Sequence, residues 1–173
     1  LGIAVALGAL AGIGLLLPSH YHVERRIYVG VPPTAVFGQI NTLPHWLNWA
    51  FAGYTQQGQV PPVEFMGPMD GPGALYVWRD EAGEEGRVEI VASTPPEQVQ
   101  LRMLTNNGAF SSRLTFVLEP QLDGTIVHWI EEGDVGYRLQ MRYLMLFHGL
   151  DAVLGKRYEA GLQALKAYCE SHH

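Results

Sequence analysis

From Tyr143 to Glu170 the apolar residues recur at steps of three and four. Leu144, Phe147, Leu154, Tyr158, Leu162, Leu165 and Cys169 form one stripe, with Lys156, Glu159, Gln163 and Glu170 on the other side. That spacing predicts a long amphipathic helix lying on a broad apolar surface. Gly149, Gly155 and Gly161 interrupt it. Each costs up to about 1 kcal/mol against alanine in a helix interior. A frayed start at Gly149 and close backbone approach at Gly161 would explain them. So would space left open between helix and sheet.

The chain before the helix supplies the surface. Alternating patterns predict strands at His20–Val31, Val63–Met66, Ala74–Arg79, Gly86–Thr94, Gln98–Thr105, Ala109–Glu119 and Gly124–Glu132. Arg25 breaks the alternation of the first strand. The turns Thr94-Pro95-Pro96-Glu97, Asn106-Asn107-Gly108 and Leu122-Asp123-Gly124 separate the later strands. Thr34–Asn41 reads as a short helix, helped by Pro33 at its start. Leu43–Trp49 reads as a second short helix or turn, and residues 50–62 as a loop. Strands first and the long helix last give an α+β class, in which a curved seven-stranded antiparallel sheet wraps the C-terminal helix.

Alternation also selects an inner face. Tyr76 and Trp78 share it, as do Ile90, Leu101, Met103, Phe110, Ser112, Leu114 and Trp129. With Trp46, Trp49, Phe65, Phe147, Leu154 and Tyr158 they are the candidate ligand-binding residues. An aromatic and methionine-rich face suits a planar or greasy guest. The same face also suits a filled core. Glu131 falls in this set, two residues beyond Trp129, and Asp151 falls inside the helical stripe. Either carboxylate, if dry, would have its pKa raised and could move a proton. Glu131 could equally sit at a solvated strand end, and Asp151 could cap the helix.

Leu1–Leu17 contains no charged or polar side chain. Seventeen residues at about 1.5 Å each span roughly 25 Å, against about 30 Å for a bilayer core. A run extending before Leu1 would close that gap. We therefore expect residues 1–19 to be a membrane anchor helix and residues 20–173 a ligand-binding domain. The rival readings are a cleaved signal peptide and a buried core helix. Ala4, Gly8 and Gly12 are spaced four apart, which would let a second membrane helix approach. Arg25 and Arg26 lean toward the cytoplasmic side, which a preceding flank could outvote.

The chain has 173 residues, 47% of them hydrophobic, and a formal net charge of −6. Without a basic patch, nucleic acid is not an expected partner. The single cysteine, Cys169, excludes an internal disulfide. His20, His22, His45 and His128 show no metal-ligand spacing, so no metal or cofactor is expected.

Several segments resemble a known family. They are Tyr21-His22-Val23-Glu24-Arg25, Val31-Pro32-Pro33-Thr34-Ala35-Val36-Phe37, Trp46-Leu47-Asn48-Trp49, Gly73-Ala74-Leu75-Tyr76-Val77-Trp78, Gly86-Arg87-Val88-Glu89-Ile90, Ser93-Thr94-Pro95-Pro96, Gly124-Thr125-Ile126-Val127-His128-Trp129 and Gly161-Leu162-Gln163-Ala164-Leu165-Lys166. In this order they resemble polyketide cyclase/dehydrase-like proteins of the SRPBCC superfamily, which have the START-like helix-grip fold. The resemblance implies a cavity between sheet and C-terminal helix that holds an apolar or aromatic molecule. The leading expectation is a membrane-anchored binder of a hydrophobic small molecule or lipid. A cyclase or dehydratase acting through Glu131 or Asp151 is the alternative. A non-catalytic subunit docked through the Ala4/Gly8/Gly12 face is a third.

Overall fold

The computed structural model describes residues 12–52, 62–79 and 83–172, leaving the side chains of Phe147 and His148 aside. Seven strands form one sheet: β1 (His20–Val29), β2 (Val63–Met66), β3 (Leu75–Arg79), β4 (Glu85–Thr94), β5 (Gln98–Thr105), β6 (Phe110–Gln121) and β7 (Gly124–Asp134). Their order is β1-β7-β6-β5-β4-β3-β2. Every pairing is antiparallel. Between β1 and β2 lie α1 (Pro33–Asn41) and a 3-10 helix (Leu43–Asn48). After β7 come α2 (Leu139–His148) and α3 (Leu150–Ser171).

The expected strands are all present, with ends moved by a residue or two at most positions. The C-terminal helix is not one helix from Tyr143. Gly149 adopts φ 62° and ψ 115°, which no helix accommodates, and it divides α2 from α3. Leu144 is therefore on a separate, shorter helix and is 39% exposed. From Tyr158 onward the stripe is buried as expected, with Tyr158, Leu162, Leu165 and Cys169 inside. Burial pushes the Cys169 thiol up to about 11, so it stays an inert neutral thiol.

Polar side chains fasten α3 to β1 along its length. Lys166 Nζ donates to the Tyr28 carbonyl at 2.9 Å, and the Gly30 amide donates to Glu170 Oε1 at 2.8 Å. Nearer its start, Arg25 Nε donates to Glu159 Oε1 at 2.6 Å. The same guanidinium donates to both Asp151 oxygens at 2.7 and 2.9 Å. The break that Arg25 makes in the β1 pattern is thus an inward cation covered by α3. Gly155 makes room for it: a Cβ there would lie 2.0 Å from Arg25 Nη2. At Gly161 a Cβ would lie 2.9 Å from Trp129 Cζ3. These two glycines are filled by partners, not left as empty volume.

The expected membrane helix falls mostly outside the described residues, Ala4 and Gly8 included. Residues 12–16 form a helical turn, and a Cβ at Gly12 would meet nothing within 4 Å. Among the described residues no helix is long and apolar enough to cross a membrane.

Candidate functional site

The site is built where the 3-10 helix closes over the inner face of the sheet. Trp46 Nε1 donates to the Ile40 carbonyl at 2.8 Å and Trp49 Nε1 to the Gln39 carbonyl at 3.4 Å, tying this short helix to the end of α1. The two indoles then meet the sheet aromatics. Trp46 lies 5.9 Å from Tyr76 and 5.7 Å from Phe116, and Trp49 lies 5.8 Å from Trp129, centroid to centroid. Trp129 in turn stacks on Tyr158 of α3, at 4.4 Å and 14° between planes. Tilted and edge contacts of this kind fix ring positions as well as burying area.

Among the described residues, two adjoining cavities lie beneath these rings. The inner one, about 110 Å³, is lined by Trp46, Ala50, Phe51, Tyr76, Trp78, Val88, Met103, Leu114 and Trp129. The outer one, about 370 Å³, shares Trp78 and Met103 with it. Its other walls include Phe110, Ser112 and Glu131 from the sheet, Met141 from α2, and Leu150, Leu154 and Arg157 from α3. Half-buried Trp78 is the partition. It can lie there because its register partner is Gly86, where a Cβ would come 2.1 Å from the indole.

Glu131 is the polar feature of this interior. It is 2% exposed. Tyr21 Oη donates to its Oε1 at 2.7 Å across the β1–β7 pair. Oε2 is buried without a hydrogen-bond partner. Burial pushes the Glu131 carboxyl above its ordinary range, and the Tyr21 and Ser112 hydroxyls pull it back part of the way. Ser112 stands near enough to favour the charged form but does not complete a bond to Oε2. The strand has therefore not ended at Glu131: β7 runs on to Asp134.

Asp151 does not join it. Its side chain is 60% exposed and held by Arg25, whose guanidinium keeps the carboxyl below its usual range. In the first turn of α3, it also complements the helix dipole. The two carboxylates do not converge on one cavity, so a dyad of Glu131 and Asp151 is not formed. Its place in the stripe pointed it at the sheet, but Arg25 fills that position.

Of the expected lining residues, Trp46, Tyr76, Trp78, Met103, Leu114 and Trp129 face the inner cavity, and Phe110, Ser112 and Leu154 the outer one. Trp49, Ile90, Leu101 and Tyr158 are packed core, each 1% exposed or less, and line neither. Phe65 sits near the sheet edge against Tyr76, with centroids 6.3 Å apart. Phe147 lies outside the described side chains. Sequence reading missed Ala50 and Phe51, placed in a loop, and Tyr21, which β1 brings to Glu131. Tyr21 lies on the same alternating face as Val23, which was the available signal. Among the described residues no cluster of His, Cys, Asp and Glu could hold a metal ion.

Solved structures with this architecture are distant in sequence. A protein from Rhodobacter sphaeroides is 16% identical with a TM-score of 0.63, over 88% of this chain and 93% of its own. Norcoclaurine synthase from Thalictrum flavum is 13% identical with a TM-score of 0.62, over 93% and 92%. A protein from Chromobacterium violaceum is 13% identical with a TM-score of 0.61, over 86% and 96%. At these identities the likeness shows the helix-grip fold alone. A search of curated proteins finds no match. The model of one family, described as polyketide cyclase / dehydrase and lipid transport, matches residues 20–170, and the chain belongs to that family.

Proposed function

We propose that the protein binds a small, mainly apolar ring compound that carries one hydrogen-bonding group. The ring occupies the inner cavity and the polar group reaches past Trp78 into the outer cavity, whose wall includes Glu131. The observation that carries this reading is an apolar, aromatic-lined cavity that adjoins a second one, in whose wall Glu131 keeps a buried carboxylate oxygen without a partner. A buried acceptor left unmade costs on the order of 1–3 kcal/mol, which a guest donor would recover. Size supports the ring. An inner cavity of about 110 Å³ is on the scale of the 150 Å³ or so that accepts benzene in an apolar protein core. A long acyl chain would have to lie in the outer cavity.

Uptake of toluene tests the reading first. Trp46, Trp78 and Trp129 line the inner cavity, so filling it should change tryptophan fluorescence saturably. Toluene that leaves fluorescence and unfolding temperature unchanged contradicts the proposal.

A second reading, an enzyme of the cyclase or dehydratase kind, is favoured by the raised Glu131 alone. A carboxyl that burial makes hold its proton more tightly than usual could donate to a carbonyl of a bound chain and withdraw a proton elsewhere. Conversion of a polyketide-like substrate that is lost in Glu131→Gln with binding intact would establish it. Membrane attachment through residues 1–17 stays part of the proposal, supported by the apolar, uncharged sequence of that run.

A further inference from the structure

We propose that Arg142 clamps the end of the N-terminal apolar run to α2, and that the face so formed docks on a lipid bilayer. Arg142 is 8% exposed although it is a charged residue on a surface helix. Its Nη1 donates to the carbonyls of Leu15 and Leu17, both at 2.7 Å, and lies 3.4 Å from that of Gly14. Its Nε donates to the Gly136 carbonyl at 2.7 Å. Carbonyls at a helix C-terminus lack intrahelical partners, and a cation there both bonds them and complements the helix dipole. The Arg142 charge also reaches Asp134 at the end of β7. Its partners are the last carbonyls of the apolar run and the turn leading into α2.

Apolar packing reinforces the clamp. Gly14 lies so close to α2 that a Cβ there would come 2.9 Å from Leu139 Cδ2 and 3.0 Å from Tyr143 Cε2. Leu139, Tyr143 and Leu146 recur at four and three residues, so they share one face of α2. Leu139 and Tyr143 are half-buried, but Leu146 at the end of that face is 58% exposed, and on the run Ile13, Leu15 and Leu16 are 53%, 51% and 87% exposed. Tyr137, at the turn before α2, is 86% exposed. Contiguous exposed apolar surface of this sort marks a partner or a membrane.

The occupant follows from what continues the patch. The run passes from this face into residues 1–11, every one of them Leu, Gly, Ile, Ala or Val. An uncharged segment of that kind is at home in hydrocarbon, and the residues flanking it then lie at the interface. Met141 projects from the other side of α2 into the outer cavity. Docking through Leu146 therefore holds the cavity's α2 wall at the lipid surface. The inference rests on the membrane attachment proposed above, and its test separates the two.

The full chain is reconstituted in phosphatidylcholine vesicles containing brominated lipid. A fluorescent label is placed at Leu146→Cys or, as control, at Leu122→Cys, since Cys169 is buried. Leu122 is 98% exposed in the β6–β7 turn, at the far end of β7 from the clamp. Flotation reports attachment, and quenching reports docking. The expected result is flotation with strong quenching at 146 and none at 122. Arg142→Met should abolish quenching at 146 while flotation persists. Gly14→Leu, which acts from the run's side and leaves α2 unchanged, should do the same and stands in if Arg142→Met does not fold. Absence of flotation overturns the attachment and the docking with it. Flotation without quenching at 146, as when residues 1–11 fold back over the patch, overturns the docking alone. Quenching at 146 that survives both variants overturns the clamp.

Discussion

Tyr21 and Glu131 are 110 residues apart in sequence and joined by a 2.7 Å hydrogen bond inside the protein. The bond crosses the β1–β7 pair beside the outer cavity, and it leaves the second carboxylate oxygen for something else. It also makes stability depend on pH. The folded pKa of Glu131 is raised above the ordinary value of 4.5. Between that value and the raised one, the unfolded chain has lost its proton while the folded chain keeps it. Stability therefore falls as pH rises through this window. Denaturant unfolding across the window should show the decline in the parent. Glu131→Gln should flatten it, and Tyr21→Phe should steepen it. A parent slope unaffected by Glu131→Gln would mean that another group carries it.

The Gly155 and Arg25 pair predicts a change of sign. In the parent, Gly155→Ala pushes the guanidinium off Asp151 and Glu159 and should destabilise. In an Arg25→Ala background those nearest neighbours are gone, and the same substitution should stabilise by up to about 1 kcal/mol, the helix-propensity difference between alanine and glycine. A double-mutant cycle by denaturant unfolding measures this coupling. Equal effects in both backgrounds would show that Gly155 serves something other than Arg25.

Gly161 has no such relief. Its neighbour is the Trp129 ring, stacked on Tyr158 and 4.9 Å from the Phe116 centroid. Gly161→Ala should cost about 1–3 kcal/mol as an overpacked core. Near-UV circular dichroism should show the Trp129–Tyr158 stack disturbed.

Trp78 divides the two cavities. Trp78→Ala should join them and cost less than the 3–5 kcal/mol or so typical of an aromatic removed from a filled core. It should admit compounds larger than one ring. A loss within that range, with no gain in accepted size, would show the indole to be ordinary packing.

How much of this was legible in the sequence depends on reach. Alternation along β7 places Trp129 and Glu131 on one inner face, because the period of two is a local property. The buried stripe from Tyr158 to Cys169 is local in the same way. The fate of Asp151 was not legible, since it depends on Arg25, 126 residues earlier. Arg25 itself stood out as the residue that breaks the β1 pattern, and α3 supplies its partners. Gly149 reads as a costly helix residue, yet only the backbone shows that it takes a positive φ and ends α2. The cavity was not legible at all. The same aromatic face could have closed on itself, and whether it does depends on how Trp78, Met103 and Phe51 pack in three dimensions.

The central claim is that Glu131 gives an aromatic cavity its polar preference. The direct measurement is the affinity of para-cresol relative to toluene, by titration calorimetry, in the parent and in Glu131→Leu. A hydrogen bond to a buried carboxyl is worth about 1.5–3 kcal/mol, so losing it should reduce the preference for cresol by about tenfold or more. The account predicts that both variants bind toluene and that only the parent favours cresol. Toluene and para-cresol discriminated equally by parent and Glu131→Leu would contradict it.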